Sequence, residues 1–436
     1  MNIKHLHEAP SLTTALTGPL HALETHLLDQ QNAIETWFRQ QWLINKPPFY
    51  ASVDIRNAGF KVAPVDTNLF PAGFNNINQD FVPLCVQAIQ AALDKACPDA
   101  ARILILPENH TRNKPYLDSI STLQDLLTQS GYNTRIGSIN PEITEPTTLY
   151  LESGKNITLT PVHREGDRLL ADDFDPCVIL LNNDLSSGVP EILEGISQVI
   201  TPPPDLGWNK RLKSGHFEFY RLLAKEFSQL IDIDPWFFDP LFRNCGELNF
   251  MERKGEDCLA ENTQKLLNDI QKKYDQFNID ATPYVVIKAD AGTYGMGIMT
   301  ARSASDVHDL NRKQRTRMST SKGGNAINQV IIQEGVPTYE TWGDINAVAE
   351  PVVYMMDRYV VGGFYRVHTK RGTEENLNAP GMHFEPLAFD EPCNVPDSGI
   401  DPDASPNRFY TYGVIARLAL LAAAREIHAV STDEDS

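Results

Sequence analysis

Leucines at positions 12, 16, 20, 23, 27 and 28 recur near the helical period, so residues 11–45 read as helical until Pro47–Pro48 ends the element. From Phe49 to Phe74 the pattern changes to short extended runs, YASVDIRN and FKVAPVDTNLFPAGFNN, broken by turn residues. Periodicity predicts a helix over Phe81–Ala96, the unbroken apolar run ARILILP (101–107) predicts a buried strand, and Leu117–Ser130 reads as a helix closed by Gly131. Strand-like TLYLES, ITLTPVH and CVILLNND (177–184) follow, and this alternation between about 80 and 200 predicts an α/β layer. The Pro-rich stretch ITPPPDLGW (200–208) is a boundary, after which Lys210–Ile231 and 259–277 are helical and IDIDPWFFDPLF (231–242) is an apolar packing loop. The second half is β-rich: PYVVIKAD (283–290), GMGIMTA (295–301), QVIIQEGV (329–336) and AVAEPVVYMMDRYVVGGFYRVH (347–368). Five prolines and six acidic residues in 385–408 predict a long loop. Val414–Val430 is apolar but carries Arg417, Arg425 and Glu426, the pattern of a terminal core helix and not of a membrane span.

At 436 residues the chain holds two or three domains or one large one. The balance of 38 basic and 57 acidic residues gives a net charge of −19, which argues against a broad grip on nucleic acid or anionic lipid. The six cysteines show neither CxxC nor zinc spacing and read as free thiols of a reducing compartment. The start, MNIKHLHEAP, has no signal-peptide pattern, so a soluble cytoplasmic protein is expected. There is no HExxH and no GxSxG, and the cluster Arg312, Lys313, Arg315, Arg317 and Lys322 reads as a solvated helix face.

The strongest chemical signal is VVIKADAGTYGMGIM (285–299), where a strand delivers Lys288 into a turn holding Gly292, Gly295 and Gly297. Glycines let backbone N–H groups approach a polyphosphate and the lysine adds a point charge. It is neither a Walker loop nor a dinucleotide fingerprint, because the glycines join two strands and do not open a helix. Next, QVIIQEGV ends a strand at Gln333, Glu334 and Val336 and passes to a linker. Lysine strand, glycine hairpin, helix, then strand-to-hinge resembles the ATP-grasp fold. That resemblance implies Lys288 on the phosphates and Gln333, Glu334 and Val336 around the adenine.

VDTNLFPAGFNNI (65–77) is similar to the metal-binding segment of the eukaryotic-type glutathione synthetases, which are circularly permuted ATP-grasp ligases. The likeness implies Asp66 and Asn68 as Mg²⁺ ligands, with Asp290, the nearest acid to the strand lysine, as the third ligand. Other segments follow in the same order. VDIRN (53–57) implies Arg56 near a substrate carboxylate, ILPENHTRNKPYL (105–117) implies Asn113 in a substrate-gripping turn, and LGWNKRLKS (206–214) implies Lys210 on the phosphates. GGFYRVHTKRGTEENLNAPG (362–381) implies Arg366 at the reacting centre, followed by a lid with Asn376 and Asn378 against substrate. Gly292 stands where those enzymes carry a metal-binding glutamate, and Pro71-Ala72-Gly73 replaces their serine pair, so the substrates differ.

Over most of residues 10–430 the chain resembles the proteobacterial-type glutamate–cysteine ligase family, through the HTRN turn, IKADAGTYGMGI and ENLNAPG. The resemblance implies an ATP-dependent ligase of L-glutamate and L-cysteine that acts through an acyl phosphate and Mg²⁺. Its expected architecture is an α/β, ATP-grasp-like and permuted fold with an added α/β substrate layer. The expected divisions are residues 1–80 with the metal-motif strands, 81–200 as the substrate domain and 201–436 as the nucleotide-binding region. A glutathione synthetase or another peptide ligase on the same fold, and a nucleotide binder without turnover, stay open, as does a homo-oligomeric state.

Overall fold

The structure is a computed structural model, and it describes residues 19–292, 297–319, 326–343, 345–386 and 408–434. The predicted N-terminal helix is two, Pro19–Asp29 and Gln31–Ile44, because Gln30 leaves helical geometry at φ −90° and ψ 6°. The break lets Leu23 and Leu27 on one side and Ile34 and Phe38 on the other all reach the core.

A six-stranded antiparallel sheet lies at the centre. Along its main path the strands run His383–Pro386, Tyr359–His368, Ala347–Met356, Tyr50–Asn57 and Val62–Asn68, with Thr341–Trp342 paired to Ala347–Met356. Strands from early and late in the chain are thus neighbours, Asp54 opposite Val352 and Val53 opposite Val353. Alternation sorts their side chains. Val53, Ile55, Ala349, Val353 and Val367 face the Arg408–Glu434 helix and its core, whereas Asp54, Arg56, Glu350 and Arg366 line a cleft on the other face.

The α/β layer is built on parallel strands Asn156–Glu165, Asn133–Ser138, Arg102–Pro107, Val178–Asn182 and Val199–Thr201. Its C-terminal strand ends abut the central sheet through a polar seam. Tyr50 Oη donates to the Leu181 carbonyl, Tyr116 Oη donates to the Asn182 carbonyl at 2.6 Å, and Asn182 Nδ2 donates to the Pro71 carbonyl at 2.8 Å. The third sheet has four strands, ordered Phe242–Cys245, Val330–Glu334, Val285–Ala289 and Ile298–Ala301, backed by the helix Glu256–Gln276. Its last strand is shorter than the predicted 295–301, of which Gly295 and Met296 lie outside the described residues. Most of the predicted 385–408 loop lies outside them too. Among the described residues no helix is long and apolar enough to cross a membrane.

The Arg408–Glu434 helix is sheathed on every side between Tyr410 and Ala424 and reaches the site through one buried network. Arg211 donates through Nε and Nη2 to Glu426 at 2.9 and 3.0 Å and through Nη1 to the Thr67 carbonyl at 2.7 Å, while His216 Nδ1 lies 2.9 Å from Glu426. Burial alone would raise the Glu426 carboxyl, but Arg211 and His216 hold it at about 2. Its folded value lies below the unfolded one, so this stabilisation is complete above the ordinary glutamate range and is lost as pH falls toward 2. Glu426→Gln should therefore cost about 3–5 kcal/mol in unfolding experiments at pH 7 and progressively less toward pH 2. Equal losses at both pH values would show that the carboxylate charge is not what holds the helix.

Candidate active site

The cleft lies between the four-stranded sheet and the polar face of the central sheet. Lys288 and Gln333 project into it from adjacent strands, where Lys288 stands opposite Ile331. Lys288 Nζ donates to Gln333 Oε1 at 2.9 Å and to the Val65 carbonyl at 2.5 Å. That carbonyl is free of the ladder for a local reason. Asp54 pairs with Asp66 and Ile55 with Pro64, which leaves Val65 as the extra residue of a β-bulge. The other amide atom of Gln333, Nε2, is buried with no hydrogen-bond partner and lines the cleft, a donor waiting for a ligand acceptor. Burial lowers Lys288 to about 8 against the pull of Asp66.

Strand Val330–Glu334 then passes to Gly335 and Val336, beside Tyr284 and Ile298, which give the cleft an apolar end. Gly335 is required there, since a Cβ would lie 2.1 Å from the Tyr284 ring. The Glu334 side chain turns the other way. It accepts from Lys61 Nζ at 2.7 Å, Trp236 Nε1 at 3.0 Å and the Leu241 N–H at 3.0 Å, a fully buried network behind the hinge. Glu334 borders the cleft as expected of a pocket-lining residue, while its carboxylate anchors the hinge from behind.

At the centre of the cleft floor, Arg366 Nη1 donates to Asp54 at 2.9 Å and to Glu350 at 2.6 Å, while its buried Nε has no partner. Burial opposes the Arg366 charge, yet Asp54 and Glu350 raise its pKa. Burial likewise raises the Asp54 carboxyl; Arg366 opposes this, and Glu350 and Asp66 add to it. Asp66 would rise for the same reason, but Lys213 and then Lys288 bring it down to about 2. Lys213 Nζ lies 3.0 Å from Asp66 Oδ1 and 3.9 Å from the Trp208 ring centre.

Sequence reading named Lys210, but the lysine that faces the cleft is Lys213. Lys210 points outward to Asp205 and is 59% exposed, whereas Lys213, 7% exposed, opens the helix Lys213–Ile231 and lines the cleft. Asp290 is corrected as well. Its oxygens accept from the Ser214 N–H at 2.8 Å and Ser214 Oγ at 2.6 Å, so it caps that helix and does not line the cleft. Arg56 lines the cleft, with Nε 2.6 Å from Glu350 and with Nη1 and Nη2 each donating to a loop carbonyl, Thr373 at 3.0 Å and Glu375 at 2.7 Å. It tethers the 369–381 loop to the central sheet.

That loop brings Asn376 and Asn378 into the cleft, and Arg302 of the opposite sheet pairs with its Glu374. Gly297, at φ +62°, packs toward Ile327 and is not a lining residue, while Gly295 lies outside the described residues. A second cavity opens beyond Asp54, Asp66, Arg366 and Asn378, which border both. Asn68 lies there, closing an Asx turn on the Phe70 N–H at 3.0 Å, as does Asn113, which caps the Lys114–Gln129 helix. Glu108 and Asp184, from the C-terminal ends of the parallel strands, form its acidic wall, and Tyr354, Phe364 and Phe384 form an aromatic one.

Sequence reasoning missed Asp54, Glu350 and Lys213. The first two had a signal, a carboxylate on the face of a strand opposite its buried aliphatic residues; Lys213 was one of three cations within four residues. Among the described residues no three His, Cys, Asp or Glu side chains come close enough to hold a metal ion between them. Asp54 and Asp66 do stand directly opposite one another on paired strands, a pair of hard oxygen donors that suits Mg²⁺ completing its shell with phosphate oxygens and water.

The sequence pattern of the glutamate-cysteine ligase family (GshA) matches residues 24–427. A crystal structure from Methylobacillus flagellatus KT, of a protein provisionally named gamma-glutamylcysteine synthetase, is 59% identical. It superposes with a TM-score of 0.89 over 97% of this chain and 99% of that one. A glutathione synthetase-like effector from Globodera pallida in its apo form is 10% identical, with a TM-score of 0.35 over 84% of this chain and 81% of the other. D-alanyl-alanine synthetase A from Vibrio cholerae O1 biovar eltor is 12% identical, with a TM-score of 0.33 over 73% and 81%; likenesses this low carry no argument. No curated protein matches the chain.

Proposed function

We propose a division of labour within the cleft from the premise that this chain belongs to the glutamate–cysteine ligase family and joins L-glutamate to L-cysteine in glutathione biosynthesis. ATP takes the cavity between the two sheets and the amino acids take the second cavity, and the two meet at Asp54, Asp66, Arg366 and Asn378. The single observation that carries this reading is that shared border. Its four residues belong to both cavities at once, so a group leaving one and entering the other passes Arg366.

The adenine lies in the apolar end beside Val336, Tyr284 and Ile298, and Gln333 Nε2 donates to the nucleotide. Lys288 and Lys213 hold the phosphate chain from two sides. Asp54 and Asp66 would hold Mg²⁺, which when bound neutralises charge on the phosphate oxygens. A γ-carboxylate oxygen of glutamate attacks the γ-phosphorus of ATP, and ADP leaves. The cysteine nitrogen, having lost a proton, attacks the acyl carbon, and phosphate leaves with the C–O electron pair. Arg366, with Nε still unpaired, stabilises the oxyanion formed at that carbon. The 369–381 loop covers the site and excludes water from the acyl phosphate. A permuted ATP-grasp order is supported by the strands bearing Asp54 and Asp66, which precede the Lys288 strand in sequence yet sit against it.

The test is ATP turnover with glutamate carrying ¹⁸O in its γ-carboxylate. We expect ADP release that depends on both glutamate and cysteine, with label recovered in inorganic phosphate. AMP as product, or unlabelled phosphate, would overturn the acyl-phosphate reading. Turnover with γ-glutamylcysteine plus glycine in place of the pair would reassign the second cavity.

A further inference from the structure

Behind the four-stranded sheet, on the face turned away from the cleft, the strand Phe242–Cys245 ends against the first turn of the helix Glu256–Gln276. Cys245 is packed there with Val330, Ile332 and Leu259 in the core beneath the helix, whereas Lys288 and Gln333 of the same sheet look into the cleft. Its Sγ lies 3.5 Å from Sγ of Cys258, and Cys258 is exposed. The two thiols differ in surroundings as well as in access. The Cys258 sulfur accepts from the Cys245 thiol and from Asn262 Nδ2 at 3.4 Å, and it lies in the first turn of a 21-residue helix. Cys245 stays protonated, since burial, followed by its contact with Cys258, pushes its thiol up to about 12.

We propose that Cys245 and Cys258 are a redox dithiol pair, Cys258 the attacking and Cys245 the resolving thiol, oxidised by low-molecular-weight disulfides. Cystine, the disulfide of the cysteine substrate, is the probe this chemistry names. The Cys258 thiolate attacks one sulfur of cystine, the cystine S–S bond breaks, and one cysteine leaves as thiolate with the electron pair. Cys258 then carries a mixed disulfide and no longer accepts the Cys245 proton. Cys245 gives that proton to solvent and attacks Cys258 Sγ, which expels the second cysteine. Cystine is reduced to two cysteines while two protein thiols become one disulfide. The sulfurs need close only from 3.5 Å to about 2.05 Å, the length of a disulfide bond. Because the bond forms behind the sheet, it staples strand to helix without entering the cleft. It would tighten this layer when the thiol pool turns oxidising.

The full chain is incubated with mixtures of cystine and cysteine at fixed total sulfur, quenched by alkylation, and mapped by peptide mass, with thermal unfolding in parallel. Wild type should lose two alkylatable thiols, show one crosslinked peptide joining residues 245 and 258, and unfold at a higher temperature than its reduced form. Cys245→Ser should stop at a lasting cysteine adduct on Cys258. Cys258→Ser, a change at an exposed position, should gain neither crosslink nor thermal shift. A lasting adduct on Cys258 of wild type with Cys245 still alkylatable, or both thiols unreacted in excess cystine, overturns the pair. A crosslink without a rise in unfolding temperature overturns the stabilising role.

Discussion

Arg366→Ala should lower the single-turnover rate of peptide-bond formation by about 10²–10³-fold while nucleotide affinity stays within a few-fold of wild type. The guanidinium sits where the two cavities meet, and its Nη1 alone satisfies both Asp54 and Glu350, which leaves Nε free. Removing it also leaves Asp54 without its cation and Glu350 with Arg56 alone, so some stability is lost. Arg366→Lys separates the two effects, because an ammonium restores the charge between Asp54 and Glu350 but not the second, directed donor. We expect Arg366→Lys to recover most of the thermal stability and little of the ligation rate. If lysine restored ligation as fully as stability, Arg366 would be a charge balance and not an oxyanion donor. If the alanine variant lost nucleotide affinity as severely as ligation, Arg366 would belong to the phosphate site.

The second large effect separates two lysines three residues apart. Lys213→Ala should weaken ATP binding by about 10²–10³-fold, the scale of losing one buried, charge-assisted contact together with its effect on Asp66. Lys210→Ala should change affinity less than twofold, because that ammonium is solvated and its pairing with Asp205 is worth little. Nucleotide titrations of the two variants decide the matter, and the reverse ranking would return the phosphate role to Lys210.

Those two lysines also show where sequence reading ran out. The strands 101–107, 177–184 and 329–336 are continuous apolar runs that announce themselves, and each is a strand in the structure. The segment LGWNKRLKS was recognisable as a cation-bearing approach to a helix, but the helix begins only at Lys213. Which cation faces inward depends on that one boundary, and boundaries are the least legible feature of a pattern. Asp290 misled for a related reason. A carboxylate just past a lysine strand looks like a ligand, and only the tertiary fold reveals that the start of another helix arrives to occupy it. Arg56 was read as lying near a substrate carboxylate and Glu334 as lining the adenine pocket, and both residues border the cleft. What sequence could not say is that other parts of the chain, the 369–381 loop and Lys61, had already claimed them. Residue type and strand face were readable, but partners distant in sequence were not.

The pairing of residues 50–68 with 347–386, sealed from behind by the helix at 408–434, bears on how the protein is made. A chain leaving the ribosome presents the hairpin of Tyr50–Asn57 and Val62–Asn68 about 280 residues before Ala347–Met356, the strand that Tyr50–Asn57 pairs with on its other side. The parallel layer at 102–201 has all its strand partners by then and can form its sheet while synthesis continues, but the hairpin with Asp54 and Asp66 must wait with Val53 and Ile55 uncovered. Assembly of the cleft is therefore a late, all-or-nothing event. Messages cut short before the 408–434 segment should yield a folded α/β layer attached to an aggregation-prone remainder, with no intermediate form that retains partial ligase activity.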